Sequence, residues 1–308
     1  MWCKQCNIET NADICPVCGG TTVEDLPVEV YWCDSCKIPI INTIIQADKG
    51  CCPVCGGKTE YLSADLRPVF PEERLLVELL LEKEPNSLVN ESLWASNNRY
   101  YINGKSIAMP NSKYECANIN SIIEKLHSFS AANSYDGFNK YIQLFTLANR
   151  SRLEYLKDEA FQFIKKAASK FPAENIVVSF SGGKDSTVSA DLAVKALSDP
   201  SIVHIYGDTT LEFPSTTEYA ERFRKNHPNA IFQIAKNDEQ DFYDVCEDIG
   251  PPARMMRWCC SMFKTGPITR VINSLYDSQQ ILTFYGIRKA ESVSRSKYNR
   301  IEDSADAV

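Results

Sequence analysis

The sequence predicts an α/β fold: a parallel sheet with helices on both faces, preceded by small four-cysteine modules and a mixed α+β connecting region. Three features lead there. From Ile176 onward, short β-branched runs alternate with amphipathic stretches, as βα units do. The first such run, Ile176-Val177-Val178-Ser179-Phe180, leads straight into a glycine turn, Ser181-Gly182-Gly183-Lys184-Asp185-Ser186. Ahead of both, eight cysteines fall into four Cys-x2-Cys pairs.

The pairs form two sets. Cys3, Cys6, Cys15 and Cys18 make one, and Cys33, Cys36, Cys52 and Cys55 the other. The second pair of each set reads Cys-Pro-Val-Cys-Gly-Gly, at 15–20 and again at 52–57, so the segment is an internal repeat. Each Cys-x2-Cys turn presents two thiolates, and two turns complete a tetrahedral site. Four pairs in matched sets outweigh a redox dithiol, whereas iron suits four sulfurs as zinc does. Cys51, next to Cys52, is a spare. The segment resembles tandem zinc ribbons, which implies two zinc ions stabilising a stretch too small for its own core. Residues 1–62 carry four basic against eight acidic side chains, net −4. That balance favours structural work, docking of a protein partner or self-association over nucleic-acid binding.

Residues 63–150 read as a connecting or recognition region, mostly helical with one hairpin. Asp65 to Pro71 is expected to be an extended linker because of its two prolines. A helix is expected from Glu72 to Lys83, and a hairpin over Arg99–Ile107 around Asn103-Gly104. Helices follow over Ser121–Ser128 and Asn139–Lys170. Cys116 and His127 are read as packed or surface residues.

The third region, 151–308, carries the chemistry. Strands are expected at 176–180, 202–206, 230–235 and 280–285, with helices from the glycine turn to about 198, near 216–226, near 239–248 and near 261–274. A strand, a tight turn and a helix N-terminus make an anion site, since the first-turn amides have no helical acceptor. Ser181, Gly182, Gly183 and Ser186 would line it, together with the adjoining Ser179 and Phe180. Lys184 could meet a phosphate oxygen, and Asp185 could hold Mg²⁺. The turn is not a Walker A loop, which needs four residues between its glycines. Three further motifs lie at or near strand ends. Gly207-Asp208-Thr209-Thr210-Leu211-Glu212-Phe213-Pro214 offers Asp208, Thr209 and Glu212 as metal or ribose partners, with a solvated carboxylate the plainer reading of Glu212. Arg257-Trp258-Cys259-Cys260 leads to Lys264, and Tyr285-Gly286-Ile287-Arg288 leads through Lys289 and Glu291 to Arg295. Residues 251–300 hold nine basic side chains against Asp277 and Glu291, net +7, where an anionic substrate would want them.

These four motifs in order resemble the phosphoadenosine phosphosulfate (PAPS) reductase family of the PP-loop adenine-nucleotide hydrolase superfamily. The likeness covers roughly the last 130 residues. It implies an enzyme with Lys184, Asp185, Asp208 and Arg288 as catalytic residues, and with Arg257, Lys264, Gly286 and Arg295 among those holding the nucleotide. Sulfonucleotide reductases usually carry a degraded loop. Here Lys184 and Asp185 are both present, which resembles the ATP-cleaving branch that adenylates acceptors for sulfur transfer. The alternatives are a sulfonucleotide reductase releasing sulfite with an electron-donor partner, or a non-catalytic zinc-ribbon adaptor with a nucleotide-sensing domain. Cys259 and Cys260 could ligate a [4Fe-4S] cluster if further ligands came from elsewhere, handle sulfur as thiols, or pack beneath Trp258. No cysteine follows them, so the region is either incomplete at its C-terminus or without that chemistry. Cys246 is read as core.

Composition sets outer bounds. The chain has 308 residues, of which 44% are hydrophobic, and no run approaches a membrane span. The Met1-Trp2-Cys3 start lacks a basic, then apolar, leader. Thirteen cysteines without such a leader imply ligands and thiols in a reducing cytoplasm. A net charge of −7 argues against generic nucleic-acid binding, though a nucleic-acid acceptor stays open.

Overall fold

The computed structural model describes residues 1–23, 26–43, 50–96, 99–109, 111–115, 118–128, 135–277, 279–288, 292–293 and 295–303. Cys116, Lys289 and Glu291 lie outside the described residues. The chain divides into two compact units, Met1–Leu156 and Lys157–Val308.

Among the described residues, the first unit holds three antiparallel sheets. Strands β1 (Trp2–Cys3) and β2 (Ile8–Glu9) pair alone. Strands β3 (Val28–Cys33), β4 (Ile38–Thr43) and β5 (Thr59–Ser63) form a sheet in the order β4-β3-β5. Strands β6 (Arg67–Pro68), β7 (Leu93–Ser96), β8 (Arg99–Ile102) and β9 (Lys105–Ala108) form the third, in sequence order. The Asn103-Gly104 turn has φ of 49° and 79°, as a type I′ hairpin needs. That hairpin is not isolated, because β7 and β6 extend it to four strands. Part of the expected linker is therefore sheet, with Pro68 on an edge strand where no ladder amide is missed.

Helix α1 (Pro71–Leu80) starts at a proline and ends before Lys83. Helices α2 (Asn111–Glu115) and α3 (Ile119–Ser128) follow. The single helix expected over 139–170 is two, α4 (Tyr135–Ala148) and α5 (Arg150–Ala168). The break falls at Asn149, whose buried amide donates to Pro39 O at 3.0 Å and accepts from Ile41 N at 2.6 Å. Tertiary bonding to β4 thus claims a residue that periodicity alone would keep in a helix. Its neighbours Tyr141 and Ala148 pack with Cys33, Ile38, Ile40 and Cys52, so the second cysteine set shares a core with α4.

In the second unit, β10 (Ile176–Phe180), β11 (Val203–Asp208), β12 (Ile231–Lys236) and β13 (Leu282–Phe284) are all parallel, in the order β12-β11-β10-β13. Alternate residues of β10 face opposite ways. Ile176, Val178 and Phe180 pack with Ala190 and Ala193 of α6 (Lys184–Leu197) and with Ala220 and Phe223 of α7 (Pro214–Asn226). Val177 packs the other way, with Ile272 and Tyr276. A strand covered on both faces must be apolar throughout, which is why it reads as an unbroken run. Helix α8 (Phe242–Ile249) starts at a capping box, Asp241 with Asp244. The helix expected over 261–274 is instead a short α9 (Trp258–Cys260), a π-turn over Ser261–Thr265, and α10 (Gly266–Tyr276). At Gly266 a Cβ would come within 2.3 Å of Ser261 O, so glycine permits the wide turn.

Phe180 is almost fully buried, and its ring stacks on Phe223 at 4.4 Å between centroids. Replacing it by alanine should cost the second unit about 3–5 kcal/mol. Denaturant unfolding followed by a probe in that unit would measure this, and a loss below about 1 kcal/mol would contradict the packing described.

Candidate functional site

The sheet order fixes where the site lies. Successive strands run β10, β11, β12 in one direction, while β13 sits on the other side of β10. Chain connections therefore diverge between β10 and β13, and a parallel sheet opens its crevice there, at the carboxyl ends. The loop after β10 is the glycine turn, and the segment after β13 runs through Tyr285, Gly286, Ile287 and Arg288.

The turn is held from within. Gly182 has φ +72°, and a Cβ there would lie 3.0 Å from the Thr216 methyl in the first turn of α7. The Ser186 hydroxyl, buried, accepts from Ser181 N at 3.1 Å and donates to Gly183 O at 3.0 Å. Ser181 Oγ lies 3.1 Å from the same hydroxyl and also receives Gly183 N. Thr187 caps Gly183 O through both its amide and its hydroxyl, and Tyr219 donates to Thr187. The serines expected to line an anion thus also brace the loop. Ser179 is half-buried in β10, and Phe180 anchors the loop from the core below. The first-turn amides of Lys184 and Asp185 have no helical acceptor and remain available to an anion.

Charge gathers at the same point. Asp185 Oδ2 lies 3.3 Å from Lys184 Nζ and receives Arg288 Nε at 3.0 Å. Gly286 brings the two loops together, since a Cβ on it would stand 2.5 Å from the Asp185 carbonyl oxygen. At the end of β11, Asp208 Oδ1 accepts from Thr210 N at 2.9 Å, and its Oδ2 lies 3.9 Å from Lys236 Nζ. Thr209 donates to Glu212 at 2.9 Å, so Glu212 is a hydrogen-bonded, half-buried carboxylate rather than a freely solvated one.

Two residues of this region escaped the sequence reading. Thr210 has φ +62°, unusual for a β-branched residue, and is held by Asp208 and by Phe242 N, which donates to its hydroxyl at 2.8 Å. No local pattern announces it. Lys236 could have been found, because parallel register sets it opposite Asp208 once β11 and β12 are paired.

Residues from the other motifs are placed less closely. The π-turn carrying Lys264 packs against β11 and β12, and Ile268 beyond it lies against Gly207. Lys264 and Arg257 are exposed, and among the described residues neither pairs with a carboxylate. Arg295 opens a short 3-10 turn, Arg295–Lys297. Cys259 and Cys260 are half-buried on α9, beside an aromatic cluster of Trp258, Phe242 and Phe263. Among the described residues, no other His, Cys, Asp or Glu completes a metal-binding group with them.

Both N-terminal sets do converge. Within each, the four Sγ atoms lie within 4.8 Å of one another. Separations of 3.6 Å for Cys3–Cys18, 3.5 Å for Cys33–Cys55 and 3.9 Å for Cys36–Cys52 are those of a tetrahedron of thiolates. Sulfurs about 2.3 Å from a common ion sit about 3.8 Å apart. In all four turns the residue after the second cysteine is left-handed: Asn7, Gly19, Lys37 and Gly56. Backbone amides of Cys6, Val17, Cys36 and Gly57 point at cysteine sulfurs at 3.4 Å. Those amides favour thiolate: the Cys18 and Val17 amides draw Cys15 down to about 7, and the Gly57 amide leads in drawing Cys55 to about 7. Hydrogen bonding to Cys18 pushes Cys6 up to about 12, and burial pushes the Cys36 thiol up as well. Four sulfurs this close resist ionising together unless a cation joins them.

The family model for the phosphoadenosine phosphosulfate reductase domain matches residues 175–307, a stretch that begins at β10 and includes the glycine turn after it. Two uncharacterized proteins of Methanocaldococcus jannaschii are similar to this chain. MJ0066 is 31% identical over 190 residues, 61% of this chain and 38% of its own length. MJ0973 is 34% identical over 152 residues, 48% of this chain and 35% of its own. The chain therefore spans less than two fifths of either relative. Among solved structures, a phosphoadenylyl-sulfate reductase from Candida auris aligns with 44% of this chain and 67% of its own, at 16% identity and a TM-score of 0.32. An NH3-dependent NAD synthetase from Campylobacter jejuni gives the same identity and score, over 45% and 58%. Those structural likenesses are too slight to argue from.

The thiolate tetrahedra make a direct demand on metal content. Elemental analysis of the purified chain at neutral pH should find two ions per chain, released on acidification as the ligands take up protons. A chain that folds with no bound metal would contradict the arrangement.

Proposed function

We propose that the second unit is a PP-loop enzyme that binds ATP in the crevice between β10 and β13 and cleaves its α–β phosphate bond. The carrying observation is the intact glycine turn, with both Lys184 and Asp185, at the strand where the sheet changes direction. An acceptor oxygen attacks the α-phosphorus, the bridging bond to the β-phosphate breaks, and pyrophosphate leaves with the electron pair. The acceptor is left adenylated and open to displacement by sulfur, with a nucleic acid as one candidate acceptor and a sulfur-donor protein as partner. Amides of the turn and the first helical turn bind phosphate oxygens. Lys184 and Arg288 meet the charge that grows on the leaving pyrophosphate, a contribution of about 3 kcal/mol for one such donor. Asp185 and Asp208 are the oxygen ligands for Mg²⁺, which when bound supplies further charge to the phosphates. Glu212 and Thr209 would serve as ribose partners, and Arg257, Lys264 and Arg295 would supply further positive charge to the phosphates.

Zinc is the ion proposed for both cysteine sets, because four thiolates and no open position describe a structural site. Their acidic surroundings suit a protein partner or a second copy of the chain better than nucleic acid. Among the described residues no helix is long and apolar enough to cross a membrane, and a cytoplasmic setting suits the unpaired thiols.

A second reading is favoured by the family match itself. In it, the unit takes an adenosine phosphosulfate and releases sulfite, with electrons from a partner. Incubation with ATP and Mg²⁺ separates the two. AMP and pyrophosphate are expected, with the rate falling about 10²–10³-fold in Lys184→Ala. Absence of ATP cleavage together with sulfite release from PAPS would overturn the first reading.

A further inference from the structure

Two cations share one carboxylate oxygen at the head of α6. Asp185 Oδ2 receives Arg288 Nε at 3.0 Å and has Lys184 Nζ at 3.3 Å. The geometry is not an accident of long side chains. Arg288 follows Gly286, which is pressed against the Asp185 backbone, so the end of β13 delivers the guanidinium to this oxygen. Asp185 itself is largely shielded, whereas Lys184 is mostly exposed and free to swing.

We propose that this cluster is an ion-pair exchange latch that orders binding: nucleotide first, divalent cation second. It rests on the reading that Lys184 and Arg288 take the phosphates. In the nucleotide-free site Asp185 is already satisfied by two positive groups, and a divalent cation arriving at the same oxygen meets repulsion from both. Phosphates offer Lys184 and Arg288 several oxygens and a larger negative charge, and Arg288 can engage them through two parallel N–H groups. Transfer of the cations to phosphate frees Oδ2 to ligate the metal. Phosphate and metal sites are thereby coupled, and cation affinity at Asp185 is low until the phosphates arrive. Arg288 then has a second role besides phosphate binding, as the guard of the metal ligand.

Mn²⁺ binding to the full zinc-loaded chain, read by loss of the free-ion electron paramagnetic resonance signal without nucleotide, tests this. Thiolate sites already holding zinc do not exchange it readily for manganese. Wild-type protein should bind Mn²⁺ weakly. Arg288→Gln should bind it at least about tenfold more tightly, Lys184→Gln should gain less, and Asp185→Asn added to Arg288→Gln should abolish the gain. Equal Mn²⁺ affinity in wild type and Arg288→Gln, or a gain that survives loss of Asp185, would overturn the latch. No nucleotide enters the measurement, so its outcome is separate from whether the chain cleaves ATP.

Discussion

One close approach of backbone to backbone governs the candidate site. Gly286, after β13, lies so near the Asp185 carbonyl that a Cβ would be 2.5 Å from that oxygen. Nothing larger than glycine lets the two loops meet, and their meeting brings Arg288 to Asp185 and Lys184. Gly182 imposes a matching demand on the other side, with φ +72° and Thr216 of α7 close by. Both glycines are close-approach positions in the loops that follow β10 and β13, the place that the sheet order marks as its switch point.

The two units solve the problem of stability differently. The second packs apolar side chains on both faces of its central strand, with Val177 and Val178 fully inaccessible on opposite sides. The first cysteine set has little beyond Cys3 and Cys15 that is buried and apolar. An ion held by its four sulfurs would therefore contribute more to its fold than any ion does to the sheet. The second set is intermediate, since its cysteines share a core with Ile38, Ile40 and Tyr141 of the surrounding unit. Two segments that read as repeats of one another therefore have unequal support.

Much of this was legible in the residues. The bounds of β10 followed from a β-branched run ending at a glycine turn, and the presence of α6 from the helical pattern after it, though its inner face runs through Ala190 and Ala193 while Val188 is exposed. The cysteine sets followed from spacing alone, because ligand geometry leaves little freedom. What was hidden depended on distant partners. Asn149 divides a helix because β4 claims its side chain. The four-stranded sheet around Asn103-Gly104 needed pairing with Leu93–Ser96 and Arg67–Pro68, which no local pattern specifies. The π-turn at 261–265 was missed because periodicity was counted across Gly266-Pro267. The left-handed Thr210 is supported by its amide donating to Asp208 and by its hydroxyl accepting from Phe242 N, and neither partner marks the residue itself. Charge pairing was the least legible layer: the motifs named Lys184, Asp185 and Arg288, but not that one carboxylate oxygen holds both cations.

If the proposed activity holds, an adenine nucleotide seats its phosphates where β10 gives way to α6. A crystal structure of the chain with a non-hydrolysable ATP analogue tests this most directly. Phosphate oxygens should lie within hydrogen-bond distance of the Lys184 and Asp185 amides, with the Arg288 guanidinium turned from Asp185 onto phosphate. Nucleotide bound elsewhere, or a turn with no phosphate and the Asp185–Arg288 pair intact at saturating analogue, would contradict it.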